Sequence, residues 1–292
     1  MSSPGPVSPL SAARLGPGDL VEAFGFVDRD PVLHVYLAAL LLRDALGRPQ
    51  DIYLGARRDG RLAGIVFLGG RSGAVLPVGE DAQAMRRLAA ETRERLPFLP
   101  RRFQVIGERA AVDPFVAAFA RAGFAPRLDR PQIYMAVEAG SFGEAEPVPA
   151  LRPATGDDRA VVFESGAALR AEELEEDPRA ADPEAYARRV DEECRDGQTY
   201  LWLDGRGLCF RASVSARTAD AAQIAGVYVP PERRGHGLAR RGMAELCRRM
   251  FERSRTACLF VNDVNAPAIA AYRRLGFAPR AAWRSAFYDT GR

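Results

Sequence analysis

The chain has 292 residues, 41 basic against 38 acidic, a formal net charge of +3 and an apolar fraction of 47%. That is an ordinary globular composition, long enough for two domains of about 140 residues each, and +3 is small for a protein that grips a phosphate backbone. Every basic residue is arginine, which excludes a P-loop lysine, a pyridoxal phosphate Schiff base and any lysine nucleophile.

Residues 1–19 read as a disordered tail, and the start "MSSPGPVSPLSAARLGPGDL" lacks a basic stretch leading into an apolar one. The longest apolar run, Val35 to Leu42, is far short of the roughly 20 residues that cross a bilayer. A cytoplasmic protein without a membrane partner is expected. Strands follow near 51–57, 62–68 and 73–77, then a helix at 81–95, and a strand-like run, "RFQVIG", at 102–107. The segment 139–149 is rich in Gly, Pro and Glu and reads as a linker. Beyond it come helices near 156–170 and 183–195, strands near 198–203, 207–215 and 221–229, a helix at 238–253 and a strand, "ACLFVN", at 257–262.

One element is written twice. "DPFVAAFARAGFAPR" (Asp113 to Arg127) aligns without a gap on "APAIAAYRRLGFAPR" (Ala266 to Arg280), with nine of fifteen positions identical. Each copy follows a strand, ends a short helix at glycine and enters another strand, so the chain reads as one α/β plan duplicated, residues 20–138 and 150–292. Cys194, Cys209, Cys247 and Cys258 show no metal spacing and, with only His34 and His236 beside them, read as free buried thiols. No metal is expected.

The second copy carries the chemistry. Between the strand ending near Val229 and the helix from Leu238 lies "RRGHGLA". Glycines at 235 and 237 let the backbone turn and approach a ligand closely, and the first amides of the following helix have no internal partner. A pyrophosphate fits there without lysine, with Arg233, Arg234, Arg240 and Arg241 adding charge at the rim. The plain alternative is a glycine-rich turn beside a solvated arginine face. The dinucleotide pattern G-x-G-x-x-G/A fails, because Arg240 stands where its third small residue belongs.

Arg234-x-x-Gly237-x-Ala239, followed by Asn265, Ala268, Tyr272, Gly276 and Phe277 at N-x-x-A-x-x-x-Y-x-x-x-G-F spacing, resembles the GNAT superfamily of acyl-CoA-dependent N-acetyltransferases over residues 150–292. The whole chain resembles its two-domain members. The resemblance implies an α/β (α+β) fold class: tandem GNAT-like folds, each a mixed, mostly antiparallel twisted sheet flanked by helices. In the second copy, parallel central strands would splay to admit acetyl-CoA. It further implies that Arg234, Gly235, His236, Gly237, Leu238 and Ala239 hold the pyrophosphate. Backbone at Val227, Tyr228 and Val229 would pair with the pantetheine arm, which Asn265 and Ala268 also meet. Tyr272 would be the general acid that protonates the departing thiolate, its alternative being an amphipathic core tyrosine.

The base stays open among Glu172, Glu173, Glu175, Glu176, Glu192, Glu193 and a water oriented by Gln223, with Tyr228 and Tyr288 as possible acceptor-pocket residues. In the first copy Phe119 replaces Tyr272, Val112 replaces Asn265 and the glycine loop is missing, so that copy is expected to be degenerate. The function expected is acetyl transfer from acetyl-CoA to a primary amine of a small molecule or peptide, by a monomer or homodimer. The alternatives are a non-catalytic acyl-CoA sensor and, with less support, a nucleic-acid-linked transferase.

Overall fold

The computed structural model describes residues 10–143 and 145–291. It separates into two compact units: the chain up to Tyr134 together with the segment from Ala281, and Met135–Arg280.

The first unit begins with β1 (Ser11–Arg14), α1 (Leu20–Val27) and α2 (Val35–Asp44), continues through β2 (Asp51–Arg58), β3 (Arg61–Gly69), β4 (Ala74–Val78), α3 (Ala82–Arg93), β5 (Arg102–Glu108) and α4 (Arg109–Ala120), and leads into β6 (Leu128–Glu138). Helices cover both faces of its sheet, so β3 is an almost unbroken apolar run. Val66 and Leu68 enter a core with Met85, Leu88 and Phe115, whereas Ile65 and Phe67 enter the opposite core with Phe26, Leu37 and Leu41. The run from Val35 is α2, which buries Leu37, Ala38, Leu40 and Leu41; an unbroken apolar stretch carries no period by which to tell helix from strand.

The expected disordered tail is corrected over its ordered part. Residues 1–9 lie outside the described residues, but β1 pairs antiparallel with β2 from Ser11↔Arg57 to Arg14↔Leu54, and Asp19 holds Arg57 at 2.7 Å. Ala12 packs toward one core and Leu15 is buried in the other.

The second unit contains β7 (Arg152–Pro153), α5 (Arg159–Leu174), α6 (Pro178–Ala181), α7 (Pro183–Asp196), β8 (Thr199–Asp204), β9 (Gly207–Arg217), β10 (Ala221–Tyr228), α8 (Leu238–Phe251), β11 (Thr256–Asn262), α9 (Ala266–Arg273) and the start of β12 (Ala278–Asp289). Its strands run in the order β6-β11-β10-β9-β8-β7. The β8–β9 and β9–β10 pairs are antiparallel and β10–β11 is parallel. Asp158 closes the turn into α5: it accepts from Thr155 N–H at 2.9 Å and pairs with Arg152 at 2.7 Å.

The units exchange strands. From Ala281 onward β12 belongs to the first unit, where it pairs antiparallel with β5 from Trp283↔Glu108 to Asp289↔Arg102. The last four residues of β6, from Met135, belong to the second unit, whose β11 is their neighbour. The two units therefore meet within β6 and β12, at Tyr134/Met135 and Arg280/Ala281, and not within 139–149. Tyr288 stacks on Phe103 at 4.8 Å and Arg284 pairs with Asp113 and Asp129 at 2.6 and 2.5 Å, which fixes β12 where it lies. The segment read as a linker is itself held, since Gly143 N–H donates to Leu275 C=O at 3.1 Å and Val148 N–H to Glu245 at 3.2 Å.

Candidate functional site

The parallel pair at the middle of the second unit opens. β10 and β11 are in register at Ala221↔Thr256, Ala222↔Ala257 and Gln223↔Cys258 and pair no further, although β10 runs on to Tyr228 and β11 to Asn262. Beyond that step both strands leave backbone groups facing the gap, a template for an extended ligand. In the first unit β4 and β5 pair at Val75↔Val105, and two residues on they are still in contact: a Cβ on Gly107 would lie 3.1 Å from Pro77 O.

β10 also bulges. Its register with β9 steps from Ala225↔Ser213 to Tyr228↔Arg211, three residues against two, with Gly226 at φ +61°. The extra residue takes one peptide out of the ladder and turns backbone N–H groups at Gly226 and Val227 away from regular pairing. A lone glycine within a strand is the sequence signal for such a bulge, and Gly226 was not singled out by its sequence.

At the end of β10 the chain turns through the glycine loop into α8. Gly235 and Gly237 stand at φ +82° and +74°, the left-handed region glycine favours, and a Cβ at either would meet nothing within 4 Å. Backbone conformation, not crowding, asks for glycine here. Gly237 is the N-cap of α8 and offers no side-chain cap, so the helix-start amides that follow, at Leu238 and Ala239, are left for an external acceptor. The corresponding helix of the first unit, α3, is closed by its own carboxylate: Asp81 accepts from Gln83 and Ala84 N–H at 2.8 and 3.0 Å and is held by Arg58 at 2.9 Å. An anion already sits where a pyrophosphate would go.

The four arginines expected at the rim divide. Arg233 is clamped to Asp204 at 2.8 and 2.5 Å, and Arg241 pairs with Glu146 at 3.1 Å and lies over Trp202 at 5.1 Å. Arg234 donates to Val229 C=O at 2.9 Å, grips both oxygens of Glu172 at 2.9 and 2.8 Å and covers the Tyr228 ring at 5.7 Å. It anchors the loop to β10 and α5, a link across 62 positions that no spacing announces. Among the described residues Arg240, exposed on the first turn of α8, makes no ion pair and is the cation left for a ligand. His236 is exposed, its Nδ1 2.8 Å from Arg234 C=O.

Tyr272 lies on α9, 7% exposed, its ring 5.9 Å from Phe277. Its hydroxyl has no hydrogen-bond partner among the described residues and, unlike those of Tyr53 and Tyr288, is not sealed from solvent. Burial, with the charge of Glu173 and then Cys247, pushes the phenol above its ordinary range, so it stays protonated. Asn265 caps α9, accepting from Ala268 N–H at 3.2 Å, and Val112, its counterpart in the first unit, is fully buried. Phe119, the counterpart of Tyr272, is sealed among Phe103, Phe115 and Tyr288.

The candidate bases separate as well. Glu193 is committed to Arg211 at 3.1 Å and Arg189 at 3.2 Å; burial alone would raise its carboxyl, but those cations hold it below the usual range. Glu172 is bound by Arg234, and Gln223 is buried with its amide donating to Ser215 at 2.9 Å. Glu173 is the carboxylate whose charge reaches Tyr272. Tyr288, expected as a possible acceptor-pocket residue, instead belongs to the first unit's aromatic core, because β12 crosses to that sheet. Among the described residues no helix is long and apolar enough to cross a membrane, and no group of three or more His, Cys, Asp or Glu is placed to hold a metal ion.

Residues 167–277, which contain the loop, the opened strands, α8 and α9, match the family model "Acetyltransferase (GNAT) family". No curated protein matches the chain in sequence. Solved structures similar to it include a GCN5-related N-acetyltransferase from Sphaerobacter thermophilus, 19% identical with a TM-score of 0.60 over 97% of both chains. A tandem GNAT protein from the clavulanic acid biosynthesis pathway is 19% identical, with a TM-score of 0.54 over 97% of this chain and 99% of that one. A Drosophila protein is 13% identical, with a TM-score of 0.64 over 94% of this chain and 98% of that one. The chain thus has the fold of the tandem GNAT proteins it resembles, and its residues 167–277 match the model of the GNAT acetyltransferase family.

Proposed function

We propose that the second unit transfers an acetyl group from acetyl-CoA to a primary amine of a small molecule or peptide. The observations that carry the reading are three: strands that part after Gln223 and Cys258, an uncapped helix start at Gly237, and a Tyr272 hydroxyl without a hydrogen-bond partner among the described residues. A linear thioester with a diphosphate at one end needs that combination. Acetyl-CoA supplies the activated acyl group.

The residues of the chain do the rest. The amides of Leu238 and Ala239, with Arg240, receive the diphosphate. Backbone at Val227 and Val229 pairs with the amides of the arm, and an N–H freed by the bulge at Gly226 steadies charge on the acyl oxygen. Tyr272 donates its proton to the sulfur. The burial that raises the phenol also raises the basicity of a thiolate beside it, so donor and acceptor stay matched. Glu173, the carboxylate felt by Tyr272, takes the proton of the amine directly or through water. The reading calls on no metal, nucleic acid or membrane, and places the work in the cytoplasm, with a monomer or homodimer as the working form. Two observations support it besides the geometry: the family match over residues 167–277 and the tandem GNAT fold.

The test is calorimetry with acetyl-CoA, followed by CoA release across a panel of amines. Micromolar binding and amine-dependent release are expected. Absence of heat at millimolar coenzyme would refute coenzyme binding; binding with no release for any amine would leave a sensor and refute the enzyme.

A further inference from the structure

Beside the bulge, α5, α7 and β9 carry more positive charge than they pair. On α5, a Cβ built on Gly226 would touch Leu169 at 3.5 Å, which puts this stretch of α5 against the bulge. One turn earlier, a Cβ on Gly166 would lie 2.7 Å from both Arg211 Nη1 and Tyr186 Oη, so glycine there lets β9 and α7 close in. Polar contacts lead inward from the bulge: Ser213, 3.7 Å from the same Gly226 position, bonds Thr199 at 2.8 Å, and Thr199 Oγ1 donates to Glu193 at 3.3 Å.

Glu193 serves two guanidiniums, Arg211 and Arg189, at 3.1 and 3.2 Å. Arg211, 3% exposed, is further fixed by Val162 C=O and Ser165 Oγ at 3.1 and 3.3 Å. A third guanidinium, Arg170, is half-buried beside them and makes no hydrogen bond and no ion pair among the described residues. The groups acting on its charge are Arg189, Glu193, Tyr186 and Glu176. Tyr186 is occupied, donating to Phe163 C=O at 2.6 Å. Three guanidiniums thus face two carboxylates, Glu193 and Glu176, and the excess positive charge rests on the one with five unused donors. Burial, then Arg189, pushes Arg170 down to about 10, the response of a cation short of a counter-ion. Charges drawn out of water are ordinarily paired.

We propose that Arg170 receives an acidic group on the acceptor, so that the amine acetylated by this protein carries a carboxylate or a phosphate a few bonds from its nitrogen. The inference rests on the acyl-transfer reading. A planar guanidinium with a free edge binds either oxyanion through two parallel hydrogen bonds. The neighbouring cations Arg189 and Arg211 add to the field without being displaced from Glu193.

The test compares matched amines on the wild-type protein: β-alanine with β-alaninamide, and phosphoethanolamine with ethanolamine, after acetyl-CoA binding has been measured by calorimetry. At least one acidic amine is expected to exceed its neutral partner by about tenfold or more in kcat/KM, mostly through KM. The first pair identifies a carboxylate, the second a phosphate. In Arg170→Gln the acid-to-neutral ratio should fall toward one, and Arg170→Lys should restore part of it. Equal use of acidic and neutral amines by a protein that binds acetyl-CoA overturns the acidic acceptor and leaves acyl transfer standing. An acid preference that survives in Arg170→Gln overturns the role of Arg170. Failure to bind acetyl-CoA removes both.

Discussion

Replacing Tyr272 by Phe separates chemistry from packing, and the structure sets both magnitudes. The ring is 7% exposed and packs 5.9 Å from Phe277, contacts that phenylalanine keeps. The hydroxyl has no protein partner among the described residues, so its loss should change stability by no more than about 1 kcal/mol, or roughly 2–4 °C in Tm. A general acid contributes about 10²–10⁴ in rate, which at about 1.36 kcal/mol per decade is roughly 2.7–5.4 kcal/mol of barrier. The two ranges do not overlap. Thermal unfolding, calorimetric coenzyme affinity and steady-state CoA release on one preparation of Tyr272→Phe therefore decide the role. Unchanged Tm and coenzyme affinity with kcat down at least about a hundredfold are expected. Turnover within about threefold of wild type would refute the proton transfer and leave Tyr272 a packing residue.

The reciprocal change, Phe119→Tyr, places a hydroxyl among Phe103, Phe115 and Tyr288 with no partner and should lower stability by about 1–3 kcal/mol; an unchanged urea midpoint would show that the cluster has room for it. In Gly242→Ala the new methyl would sit 2.4 Å from the fully buried Phe210 ring, and the overpacking, about 1–3 kcal/mol, exceeds the helix-propensity gain of about 1 kcal/mol; a rise in Tm would contradict this. Asp158 is held below the usual carboxylate range, first by Arg152, and also by Thr155 despite an opposing effect of burial. Its stabilisation is present above about pH 4 and fades as pH falls through the folded-state value, so Asp158→Asn should cost about 1–2 kcal/mol near neutrality and converge with wild type in acid, read from urea midpoints. Tyr53, Tyr272 and Tyr288 are all raised, each mainly by burial, so the fold should be undisturbed below about pH 10 and weaken above it, as these phenols ionise in the unfolded chain first; tyrosinate absorbance reaching the value for all eight tyrosines without unfolding would count against this.

The elements that carry the site were legible because each is punctuated. The helix expected over 238–253 is α8 at Leu238–Phe251, and the strand expected over 221–229 is β10 at Ala221–Tyr228, bounded by Pro230 and the glycine loop. What eluded the sequence is what depends on distant partners. Arg234 reads as a rim cation until Glu172, 62 positions away, is seen to hold it. Arg170 reads as one more surface arginine, since nothing local says that Arg211 and Arg189 share Glu193 beside it. The strand exchange is hidden by the repeat itself. "GFAPR" leads into both β6 and β12, and two strands that enter alike give no sign of which sheet each completes.

That exchange makes the two halves hostages of one another during synthesis. The sheet of the first unit keeps β5 as a raw edge until residues 281–289 have left the ribosome, by which point the second half has also been made. An unprotected edge invites mispairing, so the first half on its own should be prone to aggregate. A protease nick between β6 and β7, by contrast, should leave both fragments folded and copurifying, each still holding a strand that belongs to the other's sheet.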